Sequence, residues 1–158
     1  MATLLSAMET EVANLSTKTR FEYAGDLEEA NATIFDKLMS GDLPVCLILA
    51  FDIVDSDRQH GVINSTAEVN ALFLNRLTNE ETIDKPTSYI ETQIIAPMRA
   101  LSREFVNRLE RNDIIRGAGV ASVTNRNVYQ ALMDSHVYGN WAVFTISFSE
   151  EVSTCPPD

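Results

Sequence analysis

The stretch TSYIETQIIAPMRALSREFVNRLERN, Thr87–Asn112, decides how the rest of the chain must fold. Ile90, Ile94, Leu101, Phe105 and Leu109 recur at mostly helical intervals, and Ile95, Met98 and Val106 widen the stripe. Glu91, Arg99, Arg103, Glu104, Arg108, Glu110 and Arg111 occupy much of the remainder. The pattern predicts one amphipathic helix with a broad apolar face. Ser88 and Glu91 have capping-box spacing, and Pro86 discourages helix before it. Arg108 and Arg111 suit the negative pole of the helix dipole. Pro97 removes a backbone donor inside the pattern and is expected to kink or break the helix there. A helix of roughly 25 residues spans almost 40 Å at about 1.5 Å per residue. Such a helix needs a sheet, or partners, to cover its apolar side.

Downstream, Ile114 and Ile115 begin a short strand, Gly117 and Gly119 loosen the chain, and Val128–Leu132 follows. A bend at Asp134 and Ser135 and the Gly139-Asn140 pair, read as a turn, lead to Trp141–Phe148, the clearest strand. There Ala142, Phe144, Ile146 and Phe148 face one side, and Trp141, Val143, Thr145 and Ser147 the other. The tail 150–158 is expected to fray.

Upstream, LPVCLILAFDIV (Leu43–Val54) is a near-continuous apolar run, the pattern of a strand buried on both faces. DSDRQHG (Asp55–Gly61) reads as a polar turn. Val69–Leu77, starting as early as Val62, is the next strand, antiparallel to the first. Asn79–Pro86 is a charged loop leading into the long helix. Nearer the N-terminus, Leu4, Leu5, Met8, Val12 and Leu15 share a helical face, so 1–18 holds an amphipathic helix that packs on the core or on a neighbouring subunit. Arg20–Tyr23 is a short strand. Asp26 and Glu29 have cap spacing and open a helix to about Met39, with Leu27, Ile34 and Leu38 inward and Gly41 closing it. The expectation is a single α+β domain over 1–158: an antiparallel or mixed sheet packed against helices, mainly on one face, including one long kinked helix.

The 158 residues and 45% hydrophobic content suit one domain with a sizeable core. No apolar run approaches the roughly 20 residues of a membrane span, and the N-terminus lacks the look of a signal peptide. Two cysteines make no disulfide framework, so a reduced compartment is expected and the Asn-x-Ser/Thr triplets at Asn14, Asn31 and Asn64 carry no glycosylation meaning. A formal net charge of -11 argues against a broad phosphate-gripping surface; it is compatible with DNA sliding past nearby, and ordinary solubility is the commoner explanation of such a charge.

Chemistry is sparse. His60 and His136 are the two histidines, too far apart in sequence and too few for a metal or catalytic signature. Asp52, Asp55 and Asp57 cluster without the glycine and distal glutamate of a calcium loop, which points to a solvated turn. Cys46, on a buried strand, is a small apolar filler. Gly117-Ala118-Gly119 lacks the third glycine of a phosphate loop. No catalytic residue, metal ligand or cofactor is therefore expected. Tyr138 and Trp141 are candidate interface anchors, with sheet-face packing as the alternative.

The run LPVCLILAFDIVDSD, the strand VNALFLNRL, the segment TIDKPTSYIETQIIAPMRALSREFVNRLERN and the closing GNWAVFTISFSE resemble tailed-phage neck proteins. The likeness is to tail-terminator and head-tail joining ring proteins, including those of Bacteroidales and crAss-like phages, and covers about 26–150. It rests on segment order and texture, as no catalytic signature anchors it. The resemblance implies a virion structural protein with a small α+β fold, assembled with copies of itself into a ring of six or twelve. DNA passes through the lumen, and the portal, a neighbouring ring or the tail tube are the partners. The family has no catalytic residues to carry over. Candidate inter-subunit contacts are Asp55, Asp57 and Arg58 in the polar turn, Asn79, Glu80, Glu81, Asp84 and Lys85 in the charged loop, and Tyr138 and Trp141, since function concentrates on loops. A cytosolic, non-enzymatic protein-binding module is the alternative function.

Overall fold

The computed structural model describes residues 2–33, 43–59, 62–76, 86–112, 119–129 and 137–151. The elements are α1 (Ala2–Ala13), β1 (Arg20–Ala24), α2 (Leu27–Thr33), β2 (Val45–Leu49), β3 (Ile53–Gln59) and β4 (Val62–Asn75). A long helix, α3, then runs through Thr87–Ile90, a wide turn at Glu91–Ile95 and Ala96–Glu110, before β5 (Gly119–Val128) and β6 (Tyr138–Glu151).

Pro97 does not break α3. The turn just before it is a π-type widening, in which the Ala96 N–H bonds the Glu91 carbonyl five residues back. A proline ring in a regular helix collides with the carbonyl of the preceding turn, and a wide turn beside it changes that spacing. The capping box does not form. Thr87 and Ser88 already lie inside the helix, Pro86 stands at the cap, and no side chain bonds there. At α2 the expected cap is real: the Glu29 N–H donates to Asp26 Oδ1 at 2.8 Å, and Glu29 Oε2 accepts from the Gly25 N–H at 2.6 Å. The described part of α2 ends at Thr33, so the expectation up to Met39 and Gly41 lies outside the described residues.

Among the described residues six strands form one mixed sheet in the order β1-β2-β4-β6-β5, with β3 also paired to β4. β1 and β2 are parallel, which requires a crossover, and α2 lies on that crossover. The other pairs are antiparallel. β6 flanks β4 from Val62 to Asn75, so β2 and β3 share the opposite side of β4. Residues 49–52 there face only 68–70, one residue more, and this offset divides the apolar run into two strands.

Three local expectations change. Asp55–Gln59 is not a turn but the arm of a hairpin, in which Gln59 pairs with Val62. β4 accordingly starts at Val62. Gly139 and Asn140 are not a turn either; they pair with Leu74 and Phe73 inside the sheet. A Cβ on Gly139 would lie 1.8 Å from the Phe73 carbonyl oxygen, so close backbone approach requires the glycine. Finally, β5 is a strand the pattern did not announce. Only Val128 is buried along it, so no apolar alternation marks it. Ile114, Ile115 and Leu132 lie outside the described residues. In the tail, β6 continues through Glu150 and Glu151, and the residues after them lie outside the description.

Helices cover both faces. α1 and α3 lie on one face over Cys46, Ile48, Val69, Phe73, Phe144 and Ile146. The other face buries Val45, Leu47, Leu72, Leu74 and Val128, with Ala30 of α2 above them and Trp141 at the margin. The amphipathic face of α1 is used within its own chain: Leu4, Met8 and Val12 are each at most 2% exposed. It therefore packs on the core, the first of its two expected places.

Candidate functional site: an arginine-bearing helix face and an acidic sheet face

α3 is fastened to its neighbours by polar groups that its sequence supplies between the apolar positions. Arg99 donates through Nε to Asn140 Oδ1 at 3.0 Å and through Nη2 to Asn127 Oδ1 at 2.6 Å. Asn140 is fully buried and passes its own amide to Asn125 Oδ1 at 2.9 Å. The Asn127 amide donates to the Tyr129 hydroxyl, which donates to Glu91 Oε1 at 2.9 Å. This chain ties α3 to β5 and β6, and it satisfies polar groups that burial would otherwise penalise.

A second set ties α1 to α3. The Ser16 N–H and hydroxyl donate to Glu104 Oε1 and Oε2 at 2.8 and 2.6 Å. Arg108 Nε reaches Glu104 Oε1 at 3.3 Å, and the Asn112 amide donates to Glu11 Oε1 at 2.8 Å. The Ser16 hydroxyl, chief among these partners, holds the Glu104 carboxyl below the ordinary glutamate range.

Two shallow open grooves run along the outward side of α3 and meet at Ala100 and Arg103. Their walls carry four arginines (Arg99, Arg103, Arg108, Arg111) against three glutamates (Glu11, Glu91, Glu104). All three glutamates are engaged by the contacts above, as are Arg99 and Arg108. Arg103 and Arg111 are exposed and form no ion pair among the described residues. Ala96, Pro97 and Ala100 are exposed between them and the wide turn.

On the opposite sheet face, past the edge of α2's cover, another open depression is lined by Asp52, Val54, Thr66, Glu68, Asn70 and Thr145. Asp52 and Glu68 are exposed, and Val54 is 62% exposed. The register explains the grouping: Val54 pairs with Thr66 and Glu68 with Thr145, so their side chains share one face.

The sequence candidates fall in different places. The exposed Asp55 lies on β3 and accepts a hydrogen bond from the buried Ser65 hydroxyl. Asp57 falls at the register shift between Ser56 and Arg58. Asn79, Glu80, Glu81, Asp84 and Lys85 lie outside the described residues, as do His60 and His136. Tyr138 is 3% exposed and packs in the core. Trp141 is half-buried on the α2 face, and its indole N–H donates to Asn70 Oδ1 at 3.0 Å. Among the described residues no three His, Cys, Asp or Glu side chains converge as metal ligands. Cys46 is fully buried, and burial pushes its thiol up, away from the reactive thiolate. No helix among the described residues is long and apolar enough to cross a membrane.

Sequence reasoning named Arg103 and Arg111 only as polar-face and helix-end residues and did not single out these two or Glu68 as site residues. A signal was present: four of the chain's twelve basic residues fall between Arg99 and Arg111, in a chain of net charge -11. Compared with known proteins, the chain matches no family model and no curated relative.

Proposed function

We propose that the chain is a structural protein of a tailed-phage virion, built into a homo-oligomeric ring in the head-tail connector or at the tail end. The observation that carries this reading is the likeness of its segments, in order, to neck ring proteins. The mixed sheet with a long helix laid across it agrees with the fold that likeness implies. The net charge of -11 supports a lumen past which DNA moves without being held. In this reading the chain acts by shape and assembly, and its partners are its own copies, the portal or a neighbouring ring, and the tail tube.

The test is the native mass of the purified chain across concentration, with negative-stain images of any large species. A closed ring of six or twelve copies is the expected result. A chain that is monomeric at every concentration is then mixed with the portal complex as template; a chain that stays monomeric there too overturns the ring and favours the protein-binding module.

A further inference from the structure

A ring needs two different surfaces on each subunit, because a head-to-tail contact joins one patch to another. The strand edges are poor candidates: β3, paired on one side only, is bulged between Ser56 and Arg58. β5 is an edge strand bent by a register shift between Ala121 and Thr124, with Ser122 at φ 55. β1 has only five residues and carries Arg20 and Glu22. Both features discourage edge-to-edge pairing.

The faces differ. The outward side of α3 presents Arg103 and Arg111, beside the small apolar surface of Ala96, Pro97 and Ala100. On the far side of the sheet, Asp52 and Glu68 flank the exposed Val54. The two patches point in opposite directions, since α3 covers one sheet face and Glu68 projects from the other. Each has two charges without an ion-pair partner among the described residues and an apolar spot beside them. A twofold contact through either patch would set like charge against like, a costly arrangement. A head-to-tail contact sets arginine against carboxylate.

We propose that the α3 face around Arg103 and Arg111 of one copy docks on the sheet face around Asp52 and Glu68 of the next copy. This contact rests on the ring reading and gives it a chemistry. The arginines supply forked donors that carboxylates accept in pairs. Proline and the two alanines let the backbone of α3 approach the sheet around Val54.

Charge reversal tests it. Arg103→Glu with Arg111→Glu makes one variant, and Asp52→Arg with Glu68→Arg the other. All four positions are exposed, and circular dichroism checks that each variant folds. Each variant alone should remain monomeric where the wild type assembles, because its two patches then carry the same sign. Mixed in equal amounts they should assemble to the wild-type size, since each interface again joins opposite charges. General attraction cannot produce that rescue, because both variants keep the net negative sign of a chain at -11. Raising the salt from about 0.05 to 0.5 M should shift wild-type assembly to higher concentration, as screening predicts. Rings formed by either variant alone, or a mixture that stays monomeric, overturn the contact while wild-type rings leave the ring reading standing. A wild type that never leaves the monomer, even with the portal complex present as template, overturns both.

Discussion

Phe105 lies between Phe73 and Phe144, with ring centroids 5.5 and 6.3 Å away, and is fully buried. It joins α3 to the two central strands. Phe105→Ala should cost about 3–5 kcal/mol, read as a lower urea midpoint with unchanged slope. Glu104 makes a different kind of join, a charged one. Its folded carboxyl titrates below its ordinary range, which lies near 4.3 for an unfolded glutamate. The added stability is therefore complete above that value and is lost as pH falls through the lowered folded one. Glu104→Gln should lower stability at pH 7 by about 1 kcal/mol. The gap between variant and wild-type melting temperatures should close as pH falls below about 4. A gap that does not narrow at all as pH falls below the ordinary glutamate range would show that the charge is not what holds Ser16. The sequence displayed Phe105 plainly, as one member of an apolar stripe. It could not display Glu104, whose partner is 88 residues away.

At the scale of elements, local signals succeeded where one element was amphipathic by itself. The stripe in α3, the cap at Asp26 and the alternation from Trp141 to Phe148 all correspond to real elements. They failed where pairing decided. Asp55–Gln59 and Gly119–Val128 are polar, and they are strands because β4 and β6 offer unpaired backbone beside them. Whether α1 served the core or a neighbour was also beyond its own sequence, since either surface buries the same stripe. Its place against α3 predicts the outcome of truncation. Removing residues 1–15 should expose apolar surface in the monomer, lower the melting temperature and increase binding of a hydrophobic dye. A truncated chain that melts like the full one would contradict the packing of Leu4, Met8 and Val12.

For the whole molecule, charge is the dominant property. At a net charge of -11 the chain should not retard duplex DNA in a gel at about 0.15 M salt, where non-specific binding depends on neutralising phosphates. A clear shift would contradict the reading of a surface past which DNA slides. The sequence by itself determined the α+β class, the long helix and the acidic balance, because these follow from periodicity and composition, which are local or additive. Only the tertiary structure decided the mixed sheet order, the extra strands, the place of α1, and the separation of two arginines from two carboxylates on opposite faces. Those depend on which residues distant in sequence become neighbours, and backbone pairing and burial set that jointly across the chain.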